Sequence, residues 1–250
     1  MKYLLRLSYL GSAFSGFQVQ RGRTENTVQG ALCRAARSLF GVECKVSGCS
    51  RTDSGVHALE YFATLEESSE TVISPEKLPR AMGAFLPPEI SVFSAREVDG
   101  GYSVRRHVTL KEYEYLILNS AAPSPFYAGR AWHIPHALDV EKMNAAAKSF
   151  VGAHDFRAFM ASGSDVKDTV RTVTKCEVSR EGEFVKINVM ADGFLYNMVR
   201  IIVGTLVEVS EGKIAAGEVP GIILSKNRKN AGRTAPPDGL YLKHVTLDNK

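Results

Sequence analysis

The loop Gly48-Cys-Ser-Arg-Thr-Asp-Ser-Gly-Val-His-Ala58 concentrates more reactive groups than any other short stretch of the chain. It offers one carboxylate, Asp53, beside Arg51 and His57, with Gly48 and Gly55 free to adopt backbone angles closed to other residues. A guanidinium two residues away favours the ionised form of Asp53, and an ionised, positioned carboxylate serves as a nucleophile or a base. Asp and Ser before Gly is also ordinary turn chemistry, in which the carboxylate bonds its own backbone. No second acid lies nearby in sequence, so a two-carboxylate hydrolase receives no local support.

Arg200 is the second anomaly, a lone cation in the apolar run Phe194-Leu-Tyr-Asn-Met-Val-Arg-Ile-Ile-Val-Gly-Thr-Leu206. An unpaired buried charge is costly, so the side chain either snorkels to the surface or meets an anion. A pair with Asp53 would set the site in a cleft between two halves of the chain. Tyr113 and Tyr115, in Lys111-Glu-Tyr-Glu-Tyr115, read as core aromatics of a strand, or as a platform on which an extruded base stacks beside Arg105 and Arg106. His133-x-x-His136 has metal-like spacing without an acid or Cys cluster, and Pro135 disfavours a helix there, so both histidines read as structural and no metal site is expected. There is no phosphate-cradling Gly-rich loop, no nucleophile elbow and no RNA-recognition aromatic string.

The elements that must position these groups follow from periodicity. Tyr3, Leu5, Leu7 and Tyr9 alternate with more polar neighbours as a strand does. Asn26 or Thr27 caps a helix to about Phe40, with Val28, Leu32, Ala35, Ala36 and Leu39 on one face. Strands near residues 45–49 and 59–65 flank the Asp53 loop. Pro75 opens a second helix to about Phe85, and a strand over 90–98 completes the order βαββαβ. The second half reads alike: a strand over 112–118, a helix capped by Asp139, a hairpin of 170–179 with 184–190, a long helix over 194–209 and a final strand over 240–247. The expected fold is α+β: two tandem ferredoxin-like halves, residues 1–106 and 107–250, with antiparallel sheets side by side around a central cleft. The least structured stretch, Ser225 to Pro237, carries Lys226, Arg228, Lys229 and Arg233 and no acid.

Composition bounds the partners. The 250 residues are 44% hydrophobic and 23% charged, ordinary globular usage that excludes a coiled coil, a disulfide scaffold and a disordered tail. The net charge of +4 permits a nucleic-acid partner without demanding one. Cys33, Cys44, Cys49 and Cys176 lack zinc or redox spacing and read as reduced thiols. Arg6 interrupts the only apolar run at the N-terminus, and no stretch is long and apolar enough to span a membrane, so a cytoplasmic location is expected.

Taken in order, several strings resemble the bacterial tRNA pseudouridine synthase A (TruA) family. The R-T-D-x-G-V-H-A core stands at Arg51 to Ala58, and Tyr9-x-Gly-x-x-Phe-x-Gly-Phe-Gln-x-Gln20 resembles the family's N-terminal signature. Thr27-Val-Gln29, Lys111-x-Tyr-x-Tyr115, Gly152-x-His-Asp-Phe156, Gly193-Phe-Leu-Tyr-Asn-Met-Val-Arg200 and Ala235-Pro-Pro-x-Gly-Leu-Tyr-Leu242 follow, so that the likeness covers residues 3 to 247. Ser50 and Ser54 stand where the family usually has Gly and Ala, and Tyr102-Ser-Val-Arg105 where it has F-H-A-R.

The resemblance implies isomerisation of uridine to pseudouridine at positions 38 to 40 of the tRNA anticodon arm, without a cofactor, by a homodimer that grips tRNA. It implies that Asp53 is the catalytic carboxylate, that Arg51 helps hold the flipped nucleotide, that Tyr113 stacks on the uracil, that Arg200 pairs with the aspartate and that Leu240 lines the base pocket. Attack of Asp53 on C1′ and removal of a C2′ proton to give a glycal both fit. Arg105, Arg106, Lys226, Arg228, Lys229 and Arg233 are the expected contacts to RNA phosphates. The alternative is an RNA-binding module or chaperone of the same fold without catalysis, in which Asp53 is a turn residue.

Overall fold

A computed structural model describes residues 1–20, 26–163 and 166–248. The chain forms two compact units, residues 1–109 with 242–250, and residues 110–241. No helix among the described residues is long and apolar enough to cross a membrane.

The first unit runs β1 (Lys2–Tyr9), α1 (Val28–Phe40), β2 (Lys45–Gly48), β3 (His57–Glu66), α2 (Leu78–Gly83) and β4 (Ile90–Glu97), followed by the single turn α3 (Val104–His107). This is the expected βαββαβ order. The strands pair β4-β1-β3-β2, all antiparallel, as in ferredoxin-like sheets. β1 supplies Tyr3, Leu5 and Leu7 to the core, each fully buried. α1 starts where the Thr27 hydroxyl accepts from the Gly30 N–H and ends at Gly41 in the left-handed region. Its buried face is the predicted one, except that Phe40 rather than Leu39 closes it. α2 is shorter than the proline punctuation suggests, because residues 75–77 form a turn before it.

The second unit contains β5 (Val108–Leu118), the two-residue β6 (Trp132–His133), α4 (Val140–Ala147), β7 (Gly152–Asp155), β8 (Val170–Glu181), β9 (Phe184–Ala191), α5 (Met198–Ser210) and α6 (Val219–Ser225). Its strands are ordered β5-β9-β8-β7, antiparallel, with β6 parallel to β5. α5 is almost wholly buried, as its apolar sequence requires. The last strand, β10 (Leu240–Leu247), lies beside β3, so from Leu242 the chain belongs to the first unit, whereas a boundary at 106/107 keeps all of it in the second. The Glu60 carboxylate of β3 holds it there, meeting Arg6 Nε at 2.7 Å and His244 Nδ1 at 2.5 Å, and accepting from the Val245 N–H.

Candidate active site

The Asp53 loop is a clamped structure rather than a free turn. The segment from Tyr9 to Phe17 wraps it. The Tyr9 hydroxyl shares a 2.7 Å hydrogen bond with that of Thr52, and the Thr52 carbonyl accepts from the Phe17 N–H. The Phe14 carbonyl accepts from both Gly55 N–H and Ser54 Oγ. Behind the loop, Phe17 stacks on Tyr61 with ring centroids 4.5 Å apart, and Tyr61 Oη donates to the Ser50 carbonyl. His57 is wholly buried, and its Nδ1 accepts the Gly11 N–H at 3.0 Å, so this imidazole is a post of the clamp. Gly11 approaches so closely that a Cβ there would collide with the Val56 carbonyl and lie 2.9 Å from the Gly55 carbonyl carbon. The backbone closes the turn by Val56 N–H to the Asp53 carbonyl. The Asp53 side chain is half-buried and Arg51 is exposed. A stiff support of this kind holds a reacting group where a flexible loop would not.

In the second unit, Arg200 lies in the first turn of α5 and not at the centre of a helix starting at Phe194. The reason is Asn197, whose backbone is left-handed (φ 59°) and stops the helix from extending backwards. The same residue orients the cation: Asn197 Oδ1 accepts from Arg200 Nη1 at 2.8 Å, and the Ala235 carbonyl accepts from Arg200 Nε at 2.7 Å. The half-buried guanidinium is thus aimed by two neutral acceptors, one from its own turn and one from the string before β10. Tyr113 is buried and meets Phe194 edge-on, centroids 4.9 Å apart. Tyr115, fully buried, donates to the Pro236 carbonyl at 2.7 Å. Burial pushes its hydroxyl well above the ordinary tyrosine value, against the opposing pull of Arg200, so it stays a donor. Leu240 opens β10 and is buried.

The Ala235–Pro236 segment is seated on α5 through Gly204, where a Cβ would strike the Arg233 carbonyl. Thr205 Oγ1 accepts from the Gly232 N–H, and Glu208 Oε1 accepts from the Arg233 N–H. The basic stretch is therefore ordered. Lys226 meets Asp155 Oδ2 at 3.1 Å, Arg233 meets Glu211 Oε1 at 2.6 Å, and Arg228 bonds the Ala231 carbonyl and Thr234 Oγ1 within its own loop. Lys229, Arg105 and Arg106 are exposed, the last two on α3. Among the described residues, no three His, Cys, Asp or Glu gather to hold a metal ion.

Sequence reasoning missed the clamp, the turn at Asn197 and the seating on Gly204. The spacing of Gly11, Phe14 and Phe17 is the trace the clamp leaves in the sequence.

The sequence comparisons with known proteins agree. The family model described as tRNA pseudouridine synthase matches residues 7–105 and 146–248. "tRNA pseudouridine synthase A" of Acetivibrio thermocellus is 46% identical over 241 residues, 96% of this chain and 97% of that protein. The proteins of the same name from Methylacidiphilum infernorum and Bacillus licheniformis are 45% and 42% identical, over 97% and 100% of this chain and 94% and 100% of theirs. A solved structure, "Crystal Structure of a Cbf5-Nop10-Gar1 Complex", is similar over 96% of this chain and 48% of that chain, about half its length, at 15% identity and a TM-score of 0.39. With the family model spanning both units and relatives this similar along nearly the whole chain, the protein belongs to the tRNA pseudouridine synthase family.

Proposed function

We propose that this chain isomerises uridine to pseudouridine in the anticodon arm of tRNA, at positions 38 to 40, with Asp53 as the essential carboxylate. The observation that carries the reading is the clamped Arg51-Thr52-Asp53 turn, inside the residues matched by the family model. Its chemistry suits the reaction. The N1–C1′ bond breaks, the uracil rotates, and C5 replaces N1 at the sugar, with the C5 proton passing to a base and N1 taking up a proton in its place. Nothing is oxidised and no group leaves the substrate. Asp53 acts either on C1′ directly or on the C2′ proton.

Arg51 holds the flipped nucleotide, Tyr113 stacks on its uracil, Leu240 lines the base pocket, and Arg200 is the charge complement of the aspartate. The base leaves its stack at a cost of about a few kcal/mol. Exposed Arg105, Arg106 and Lys229 offset that cost at phosphates, with Lys226 and Arg233 presented by their carboxylate partners and Arg228 stiffening the loop. The working protein is a homodimer of the cytoplasm; light scattering reads the mass against the 27.3 kDa of one chain.

Unmodified tRNA transcript incubated with the wild type and with Asp53→Asn, then mapped for pseudouridine, tests the assignment. Product at 38–40 from the wild type and none from the variant is expected. A variant working at the wild-type rate refutes the role of Asp53. A wild type that binds tRNA but leaves every uridine unchanged favours a non-catalytic binder.

A further inference from the structure

A cavity of about 650 Å³ opens in the second unit, walled by Trp132, His133, His136, Glu211, Lys213 and Arg233. Its organising group is the Glu211 carboxylate, whose side chain is only 10% exposed. Three cationic or ionisable heads converge on it: Arg233 Nη2 at 2.6 Å and His136 Nε2 at 3.2 Å from Oε1, and Lys213 Nζ at 2.7 Å from Oε2. Burial pushes the Glu211 carboxyl up, but the bonds from Lys213 and Arg233 outweigh it and hold it below the ordinary value, so the carboxylate is charged.

The balance is nonetheless positive. Two permanent cations face one anion, and the third neighbour is an imidazole. The cations are also far from used up: a guanidinium carries five N–H donors and an ammonium three, and each gives Glu211 only part of that set. Their outer faces are open, with the Lys213 and Arg233 side chains 59% and 39% exposed. Arg233 also lies over the Trp132 indole, 5.2 Å from the ring centroid, a cation–π contact that helps hold its head in place. The His133 imidazole is held by the Ser120 carbonyl and lines the cavity. Glu211 thus gathers the cationic heads in advance, removing much of the side-chain entropy that a lysine or arginine otherwise loses on binding.

We propose that this cavity is a phosphodiester-binding site for the RNA substrate, with Lys213 and Arg233 donating to one backbone phosphate and Glu211 holding both in register. The proposal rests on the tRNA reading above and deepens it: it assigns a contact to Lys213 and a positioning role to Glu211, neither of which the basic stretch contains. An RNA phosphate suits the site because its ligand must be anionic, must accept several hydrogen bonds and must reach a cavity open to solvent.

Trp132 is the chain's one tryptophan, so fluorescence excited selectively at tryptophan, past the absorption of the tyrosines, reports on this cavity. Titration of the wild type with unmodified tRNA transcript should change that signal, and in Lys213→Gln the change should need roughly 3–10-fold more RNA at moderate salt. The slope of log affinity against log salt should fall by about one for the lost phosphate contact. Inorganic phosphate should compete only weakly, since one phosphate lacks the rest of the RNA. Arg233→Gln should show the same fall in slope by a binding assay independent of fluorescence.

If both variants keep the wild-type affinity and slope, the cluster is an internal ion-pair network and the proposal is overturned, whatever happens to stability. If inorganic phosphate binds as tightly as tRNA, the site belongs to a free anion and the RNA assignment falls. Pseudouridine is mapped on the same samples: tRNA binding with the expected slopes but no product contradicts the enzymatic reading and leaves this site standing. A wild type that binds no tRNA overturns both.

Discussion

Gly11→Ala tests whether the clamp around Asp53 is what makes the loop competent. The added Cβ would collide with the Val56 carbonyl oxygen and sit 2.9 Å from the Gly55 carbonyl carbon, against 3.4–4 Å for ordinary contact. Both partners are backbone and cannot rotate away, so the Tyr9–Phe17 arm and the loop must separate by about 1 Å. That strain falls in the range of overpacked cores, about 1–3 kcal/mol. For a chain of this length it lowers Tm by about 2–12 °C. The separation also stretches the 3.0 Å bond from Gly11 N–H to His57 Nδ1. A displacement near 1 Å at a reacting group costs about 10²-fold in rate. We therefore expect a folded variant with a modestly lowered Tm and pseudouridine formation down about a hundredfold at saturating tRNA. Gly83→Ala, whose Cβ meets nothing within 4 Å, serves as the control and should keep wild-type activity. A Gly11→Ala protein of wild-type Tm refutes the steric reasoning. One that is destabilised but turns over at the wild-type rate shows that the clamp does not set the position of Asp53.

Two further perturbations test the second unit. Asn197→Ala keeps a left-handed backbone without its amide and should lose about 1–2 kcal/mol in urea unfolding, whereas Asn197→Gly should stay near wild type in stability. Both lose the Oδ1 acceptor of Arg200, so both should lose activity; an active Asn197→Gly would show that aiming Arg200 through this amide is unimportant. Asp155 supplies a pH test. Burial pushes its carboxyl up, but hydrogen bonds from Thr169, Lys226 and the Arg157 N–H prevail and hold it below 3.8. A depressed carboxylate stabilises the fold above its unfolded value, and that contribution disappears as pH falls through the folded one. The stability gap between wild type and Asp155→Asn should be widest near neutral pH and shrink below pH 3.8. A gap that widens on acidification would reverse the sign and refute the assignment.

Much of the first unit was legible because each cue there is local. Alternation in β1 and the Thr27 cap each decide a boundary within a few residues. The failures share a different cause. Phe194 to Asn197 continue the apolar periodicity of α5, and only the backbone angle of Asn197 reveals that the helix has not begun. The stretch 225–237 looked unstructured because it lacks periodicity, yet its order comes from distant partners, Thr205, Glu208 and Glu211 on and after α5. α6, with Pro220 in its first turn, precedes it and was also missed. His133 and His136 read as structural, despite their spacing, because no acid or Cys cluster stands beside them in sequence, and the acid beside His136 is Glu211, far along the chain. Nothing in a single sequence predicts that meeting. Asp53, Arg51, Arg200 and Tyr113 stand out by residue type and setting, whereas their roles, and Leu240 altogether, come from resemblance, which carries what spacing cannot.

The return of the chain to its first unit at Leu242 bears on how the protein is made. The place beside β3 stays vacant until β10 has been synthesised, and Glu60 must wait for His244 and Val245. All of residues 110–241 emerge in between, which takes about 7–26 s at ordinary elongation rates. Vectorial synthesis therefore reverses the usual sequence of completion: the N-terminal unit, first to leave the ribosome, is the last to close. A nascent chain halted before Leu242 would hold a second unit with all its residues and a first unit with an open strand edge, the form most prone to pairing with another chain.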